Sequence, residues 1–189
     1  MKKKIITKIS EGLGNQLFMY ANSYSLCKKN NFDYYIDALS GYYQKKHIYD
    51  FYLDRFCISA NTASKEFSFE NLYKNLLKKV LIFFDKFKRN KRFYFEKKDS
   101  NKFSQYSPLD LTNAYNHFFI DGNFESEKYF YDYRNDLLNE FNIKNKEQFS
   151  DNKYLDIIKN NNVVSICVRQ NRYSEGKTNI SAAANTERY

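Results

Sequence analysis

The spacing of apolar positions changes several times along this chain, and each change marks an element. Residues 4–10 (KIITKIS) form a short run rich in Ile and Thr that reads as a strand. Gly12 and Gly14 then make a turn. Leu17, Tyr20, Ala21, Tyr24 and Leu26 recur at helical spacing, which predicts an amphipathic helix over residues 15–29. Residues 32–38 (FDYYIDA) return to a strand pattern. Strand, tight turn, helix and strand make a βαβ unit, and that unit predicts a parallel sheet in an α/β domain.

Further along, Phe69, Leu72, Tyr73, Leu76, Leu77, Val80, Leu81 and Phe84 keep a helical period with lysines on the other face. This predicts a basic amphipathic helix over residues 69–87, read as an ordinary surface element with its lysines in solvent. Residues 90–98 (NKRFYFEKK) and 117–121 (HFFID) read as strands, with Gly122 allowing a turn. Ser126 is a candidate cap for a helix whose face is Tyr129, Phe130, Tyr133, Leu137 and Phe141. The polar stretch 143–162, with one short helix, is a candidate domain boundary. Residues 163–168 (VVSICV) fit a buried parallel strand, and its C-terminal end would deliver Arg169, Gln170, Asn171 and Arg172 to a crevice. The expected division is an N-terminal α/β domain over 1–150 and the start of a second over 151–189.

Composition changes this picture little. Of 189 residues, 18 are Tyr, 18 are Phe and none is Trp, so Tyr and Phe carry much of the core. The formal net charge of +9 favours anionic partners: nucleic acid, an anionic membrane face or a phosphorylated small molecule. The charge peaks in residues 74–92 and at the N-terminus. A nucleic-acid module would interleave basic and aromatic residues on one face. Here the aromatics fall on the apolar faces of helices, so no nucleic-acid partner is expected. Cys27, Cys57 and Cys167 are scattered and form no metal or disulfide framework, which implies free thiols. Only His47 and His117 could supply imidazole ligands, so no metal site is expected. The N-terminal apolar run is too short for a signal peptide, which points to a cytoplasmic protein. Residues 69–87 leave open a peripheral contact at the inner face of an anionic membrane.

The chemistry concentrates in two segments. Gly12-Leu13-Gly14 is too short for a phosphate-binding P-loop and lacks the third glycine of a dinucleotide fingerprint. Asn15 and Gln16 at the start of the helix can each donate and accept hydrogen bonds, which suits a ligand dense in hydroxyl or phosphate oxygens. In the second segment, Arg169 and Arg172 follow an apolar run, and a guanidinium can bind phosphate through two parallel hydrogen bonds.

Taken together, these segments resemble the bacterial alpha-1,2-fucosyltransferases of glycosyltransferase family 11. The family's Gly-Leu-Gly-Asn-Gln-Leu-Phe-x-Tyr-Ala stretch stands here as residues 12–21 (GLGNQLFMYA). Its Gly-aromatic-x-Gln-Ser-Glu-Lys-Tyr-Phe segment is similar to residues 122–130 (GNFESEKYF), and Tyr52-Leu53-Asp54-Arg55-Phe56 is similar to a Leu-Asp-x-Phe segment. The third family motif, His-x-Arg-Arg-Gly-Asp-Tyr, departs from the pattern. Cys167 stands at the histidine, Arg169 at the first arginine, Gln170 at the second, Asn171 at the glycine and Arg172 at the aspartate, while Tyr173 is retained.

The resemblance implies a GT-B-like enzyme: a Rossmann-like N-terminal domain plus the first elements of a second, donor-binding Rossmann-like domain. It implies transfer of L-fucose from GDP-fucose to the 2-hydroxyl of a galactoside, with inversion and without a metal or other cofactor. The acceptor would be a surface glycan, with a lipid-linked one as an option. Arg169 and Asn15 are the expected catalytic residues. Gly12, Gly14, Gln16, Gln170, Asn171, Arg172, Tyr173 and Glu175 are the expected binding residues, with Glu175 a candidate to replace the lost carboxylate. No general base is evident. Family members continue well past Tyr189, so a truncated member is expected, and an inactive one is the alternative.

Overall fold

The computed structural model describes residues 2–43, 50–97, 106–145, 147, 153–164 and 166. The chain divides into two compact units, Met1–Asn145 and Lys146–Tyr189.

The first unit is an α/β fold built on a five-stranded parallel sheet: β1 Lys4–Lys8, β2 Asp33–Asp37, β3 Asn61–Thr62, β4 Lys91–Phe95 and β5 Ala114–Asp121, in the order β3-β2-β1-β5-β4. The arrangement is compatible with a Rossmann-like fold. Central strand β1 pairs on both edges, Ile5 with Tyr34 of β2 and Phe118 of β5. Ile5 and Ile6 are both buried, as expected for a strand covered on both faces.

On one face lies helix α1, Leu13–Asn30, with Met19, Tyr20, Tyr24 and Cys27 packed over Ile5, Tyr34, Ile36, Phe118 and Ile120. The Tyr20 ring is within 5.1 Å of Tyr34, and its hydroxyl donates to Glu140 Oε2 at 2.5 Å. Burial first, then the Glu140 carboxylate, pushes the Tyr20 phenol well above its ordinary range. Burial likewise pushes up the Cys27 thiol, so this cysteine acts as a small apolar filler. Both Cys27 and Cys57 are free. Helix α1 ends at Asn31, which takes the left-handed conformation (φ 54°) and returns its N–H to the carbonyls of Cys27 and Lys28. Glycine adopts this conformation without a Cβ penalty. Asn31→Gly should therefore leave stability level or higher, and Asn31→Ala should lower it by about 1 kcal/mol, as read by urea titration.

Several elements differ from expectation, among them α1, the segment after Ser126 and the helix expected over residues 69–87, and the short strand β3 was not anticipated. The helix begins at Leu13, two residues early, and neither Gly12 nor Gly14 needs a positive φ; the left-handed residue of the turn is Glu11, at φ 65°. The segment after Ser126 is not one helix but two 3-10 turns, Glu127–Tyr129 and Tyr131–Tyr133, followed by α3, Arg134–Glu140. Its aromatics pack against the core all the same, because Tyr129, Phe130 and Tyr133 point inward from tight turns as well as from a helix.

The third difference is α2, Leu72–Asp85, which turns Asn75, Lys78, Leu81, Ile82 and Asp85 inward and leaves most of its apolar residues exposed. Asp85 is buried and accepts hydrogen bonds from the Arg92 and Phe93 main-chain N–H groups at 2.9 and 3.2 Å. Lys78 reaches Asp121 at 3.3 Å and lies over the rings of Phe69 and Phe95. These attachments hold the helix with its apolar side outward, the reverse of the usual arrangement.

Within the second unit, α4 spans Lys153–Asn160. Val163, Val164 and Ile166 lie outside any strand, and Val164 and Ile166 are 88% and 82% exposed. The expected buried strand is thus not formed at these positions. An apolar run becomes a buried parallel strand only when neighbours pair it, and no strand is described in this unit.

Candidate functional site

Parallel strands deliver their C-terminal ends to one edge of the sheet, the usual place for a ligand in an open α/β fold. Here that edge gathers Ser10 and Glu11 after β1, Ser40 and Gly41 after β2, and Gly122 to Glu125 after β5. A cavity of about 600 Å3 lies there, lined by Lys8, Ser10, Glu11, Ser40, Tyr43 and Lys79, among others. Among its described lining residues Glu11 carries the sole carboxylate.

Each loop is held by specific bonds. Asp37, buried at the end of β2, accepts from the Leu39 and Ser40 N–H groups, both at 3.0 Å. Gly41 is pressed on the β1 end, so an added Cβ would lie 2.0 Å from the Ile9 carbonyl oxygen. Glu96 accepts from the N–H groups of Asn123 (2.7 Å) and Phe124 (3.1 Å), and a Cβ at Gly122 would meet the Glu96 side chain at 2.3 Å. Asp121 bridges Lys8 (2.6 Å) and Lys78 (3.3 Å), tying β5 to β1 and α2. The turns after the adjacent strands β1 and β5 each contain a left-handed non-glycine residue, Glu11 (φ 65°) and Phe124 (φ 54°). Such strain costs on the order of 1 kcal/mol or more and concentrates at functional sites.

The sequence-derived residues fall into three groups. Gly12 and Gly14 open directly to space: a Cβ on either would meet nothing within 4 Å. Gly12 provides no side chain to cap α1, and the first turn has no acidic residue, so the Glu11 carboxylate just before the helix is the negative charge at its positive end. Asn15 is half-buried and donates from Nδ2 to the Glu11 carboxylate, which also receives Asn123 Nδ2 at 3.5 Å. The family-like segments 12–21 and 122–130 therefore meet through Glu11, a residue that sequence reasoning did not single out. Its signal was slight, a charged residue immediately before a glycine turn.

Gln16 is different: it is fully buried and does not face the crevice. Its Nε2 donates to the main-chain carbonyls of Glu11 and Asp50, both at 2.8 Å, and its Oε1 accepts from Tyr52 N–H at 2.9 Å. With its amide fully engaged, Gln16 clamps the turn and the distant Asp50–Tyr52 segment together.

Arg169, Gln170, Asn171, Arg172, Tyr173 and Glu175 lie outside the described residues, as do Cys167 and His47. His117 packs its ring tilted against Phe67 at 4.8 Å, away from the cavity lining, and its pKa is lowered by burial and by Lys4. Among the described residues there is no group of three or more His, Cys, Asp or Glu side chains able to hold a metal ion.

A second cavity, of about 460 Å3, lies where the later turns of α1 meet Tyr106, Tyr129 and Tyr133. Asn22, fully buried on α1, borders it, and neither of its amide atoms has a hydrogen-bond partner among the described residues.

The sheet-edge arrangement can accept a polyhydroxylated ligand: the hydroxyls of Ser10, Ser40 and Tyr43, the Asn75 amide, Lys8, Lys79 and the Glu11 carboxylate line one opening, while Gly12, Gly14 and Asn15 lie outside that lining. Comparison with known proteins found no matching family model, no matching curated protein and no matching solved structure.

Proposed function

We propose that this protein is a GT-B-like glycosyltransferase that moves L-fucose from GDP-fucose to the 2-hydroxyl of a galactoside. One observation carries the reading: the Gly-Leu-Gly-Asn stretch sits at the C-terminal end of the central strand, with open space over both glycines and no side-chain cap on α1. In a packing-only turn, the missing side chains would relieve a clash or a positive φ, and here they relieve neither. Absent side chains that serve neither purpose suit the close approach of a ligand.

In this reading the fucose C1–oxygen bond to GDP breaks as a bond from C1 to the galactose 2-oxygen forms on the opposite face. The departing diphosphate gains negative charge, and Arg169 supplies the guanidinium that stabilises it. The cavity beside Glu11 holds the acceptor. Asn15 is oriented by the Glu11 carboxylate and helps place the reacting hydroxyl, while Gln16 acts through the main chain that it clamps. Glu11 is the carboxylate positioned to take the hydroxyl proton. Placement and charge stabilisation supply most of the effect, because an oxocarbenium-like centre needs little prior deprotonation of its nucleophile.

The test is GDP release from GDP-fucose with a panel of galactosides, with the product linkage determined. Galactoside-dependent release that yields a fucose on the 2-hydroxyl is expected. Release independent of every galactoside, or none at all, would overturn the proposal.

A further inference from the structure

Helix α2 shows solvent the side that most helices hide. Leu72, Phe83, Leu76, Val80 and Tyr73 are all exposed, as is Phe87 in the turn just past the helix, with Leu72, Tyr73 and Phe87 at 73, 75 and 76%. Phe84 and Leu77 extend the same surface. At about 100° per residue these positions sweep a continuous arc of about 140°. Phe83 contacts the rings of both Phe84 and Phe87, at 5.7 and 5.5 Å, so the arc is a joined surface rather than scattered side chains. A monomeric protein rarely leaves a contiguous apolar patch above about a few hundred Å2 without a binding role.

What flanks the patch identifies the occupant. Lys79 and Lys86 lie along one edge of the arc, and Lys88 and Arg89 follow its C-terminal end, all of them exposed. Within the arc there is no charge. Hydrocarbon in the middle with cations at the rim matches an anionic bilayer, where apolar side chains enter the acyl boundary and lysines reach the phosphates. The chain as a whole carries +9, which adds long-range attraction to such a surface. A nucleic-acid strand would call for cations between the rings. A second copy of this chain would bring its own lysines against these.

We infer that α2 is an interfacial anchor that lays this protein on an anionic membrane leaflet. The patch is continuous with the sheet-edge cavity, because Leu72 and Leu76 belong to both and Lys79 at the patch rim also lines the cavity. Docking by α2 therefore brings the cavity mouth to the lipid surface. If the transferase reading above holds, on which this last step rests, the acceptor is a glycan carried on a lipid.

The experiment is flotation of the full chain with vesicles of phosphatidylcholine alone and of phosphatidylcholine with about a third phosphatidylglycerol, followed by the variants Leu76→Asp/Phe83→Asp and Lys79→Glu/Lys86→Glu. Neither pair touches the inward side of α2, and circular dichroism verifies the fold of each. Binding to the anionic vesicles is expected, with about a hundredfold loss in the apolar pair at roughly tenfold per position. The charge pair should lose about tenfold or more, given about fivefold for each lysine near an anionic surface. Failure to bind anionic vesicles would overturn the inference, as would unchanged binding in the apolar pair. So would a concentration-dependent dimer, or binding to single-stranded DNA, that the apolar pair abolishes while vesicle binding persists. The assay contains no sugar nucleotide, so its failure leaves the transferase reading to its own test.

Discussion

Replacing Gln16 with leucine is expected to destabilise the first unit by about 3–5 kcal/mol, although leucine fills a similar volume and favours helices at least as well. The loss comes from the main chain. In the wild type, one amide serves the carbonyls of Glu11 and Asp50 and the N–H of Tyr52. Leucine leaves all three without their partner, and an orphaned polar group costs about 1–3 kcal/mol, least at the exposed Asp50, where water can replace the bond, and more at the half-buried Glu11 and Tyr52. We take the lower part of that range because the two carbonyls lie near a loop that can relax toward water. Gln16→Glu should do nearly as badly: a carboxylate accepts from Tyr52 but cannot donate to two carbonyls, and it would meet their negative ends. Urea titration followed by tyrosine fluorescence measures both. A change below about 1 kcal/mol in Gln16→Leu would mean that other contacts hold the Glu11 turn.

That clamp also marks the limit of what the sequence makes legible. The βαβ unit could be read because its signals are local: an Ile-rich run, a glycine turn and a helical period, all within residues 4–38. The parallel sheet followed from them. The role of Gln16 could not be read, because its partners at Asp50 and Tyr52 lie 34 and 36 positions away. Sequence alone shows an amide beside a crevice, and only packing decides that the amide points inward. Glu11 was missed for a related reason. Its importance lies in a left-handed backbone and in two amides from different segments, neither of which has a sequence period.

Helix α2 illustrates a different failure. Its amphipathic pattern was plain, and its existence followed. The side it buries did not follow from the pattern, because hydrophobicity predicts burial only when nothing stronger fixes the helix. Asp85 takes two main-chain N–H groups of β4, and Lys78 takes Asp121, and these polar attachments set the rotation. Val163, Val164 and Ile166 fail in the opposite sense. The run is as apolar as a buried strand, yet Val164 and Ile166 are exposed, since a strand also needs neighbours that a local pattern cannot guarantee.

Arg169→Ala should lower galactoside-dependent GDP release several hundred-fold, on the scale of about 10²–10³ for removal of one donor that stabilises developing charge. The residue lies outside the described part of the chain, so the expectation rests on its chemistry and on its place in the family-like motif. In the proposed transfer, the departing diphosphate is the group whose charge grows. A guanidinium meets it with two parallel hydrogen bonds and a charge that persists at any working pH. Arg169→Lys separates these contributions: it keeps the charge but loses the paired geometry, so roughly a tenfold or greater loss should remain. Because the interaction strengthens toward the transition state, the loss should appear in kcat more than in KM. If it appeared only in KM, Arg169 would bind the donor without stabilising its departure. Equal rates in wild type and Arg169→Ala would place the guanidinium outside the site altogether. The diphosphate would then need another cation, and Arg172, three positions along, is the first candidate to substitute in the same assay.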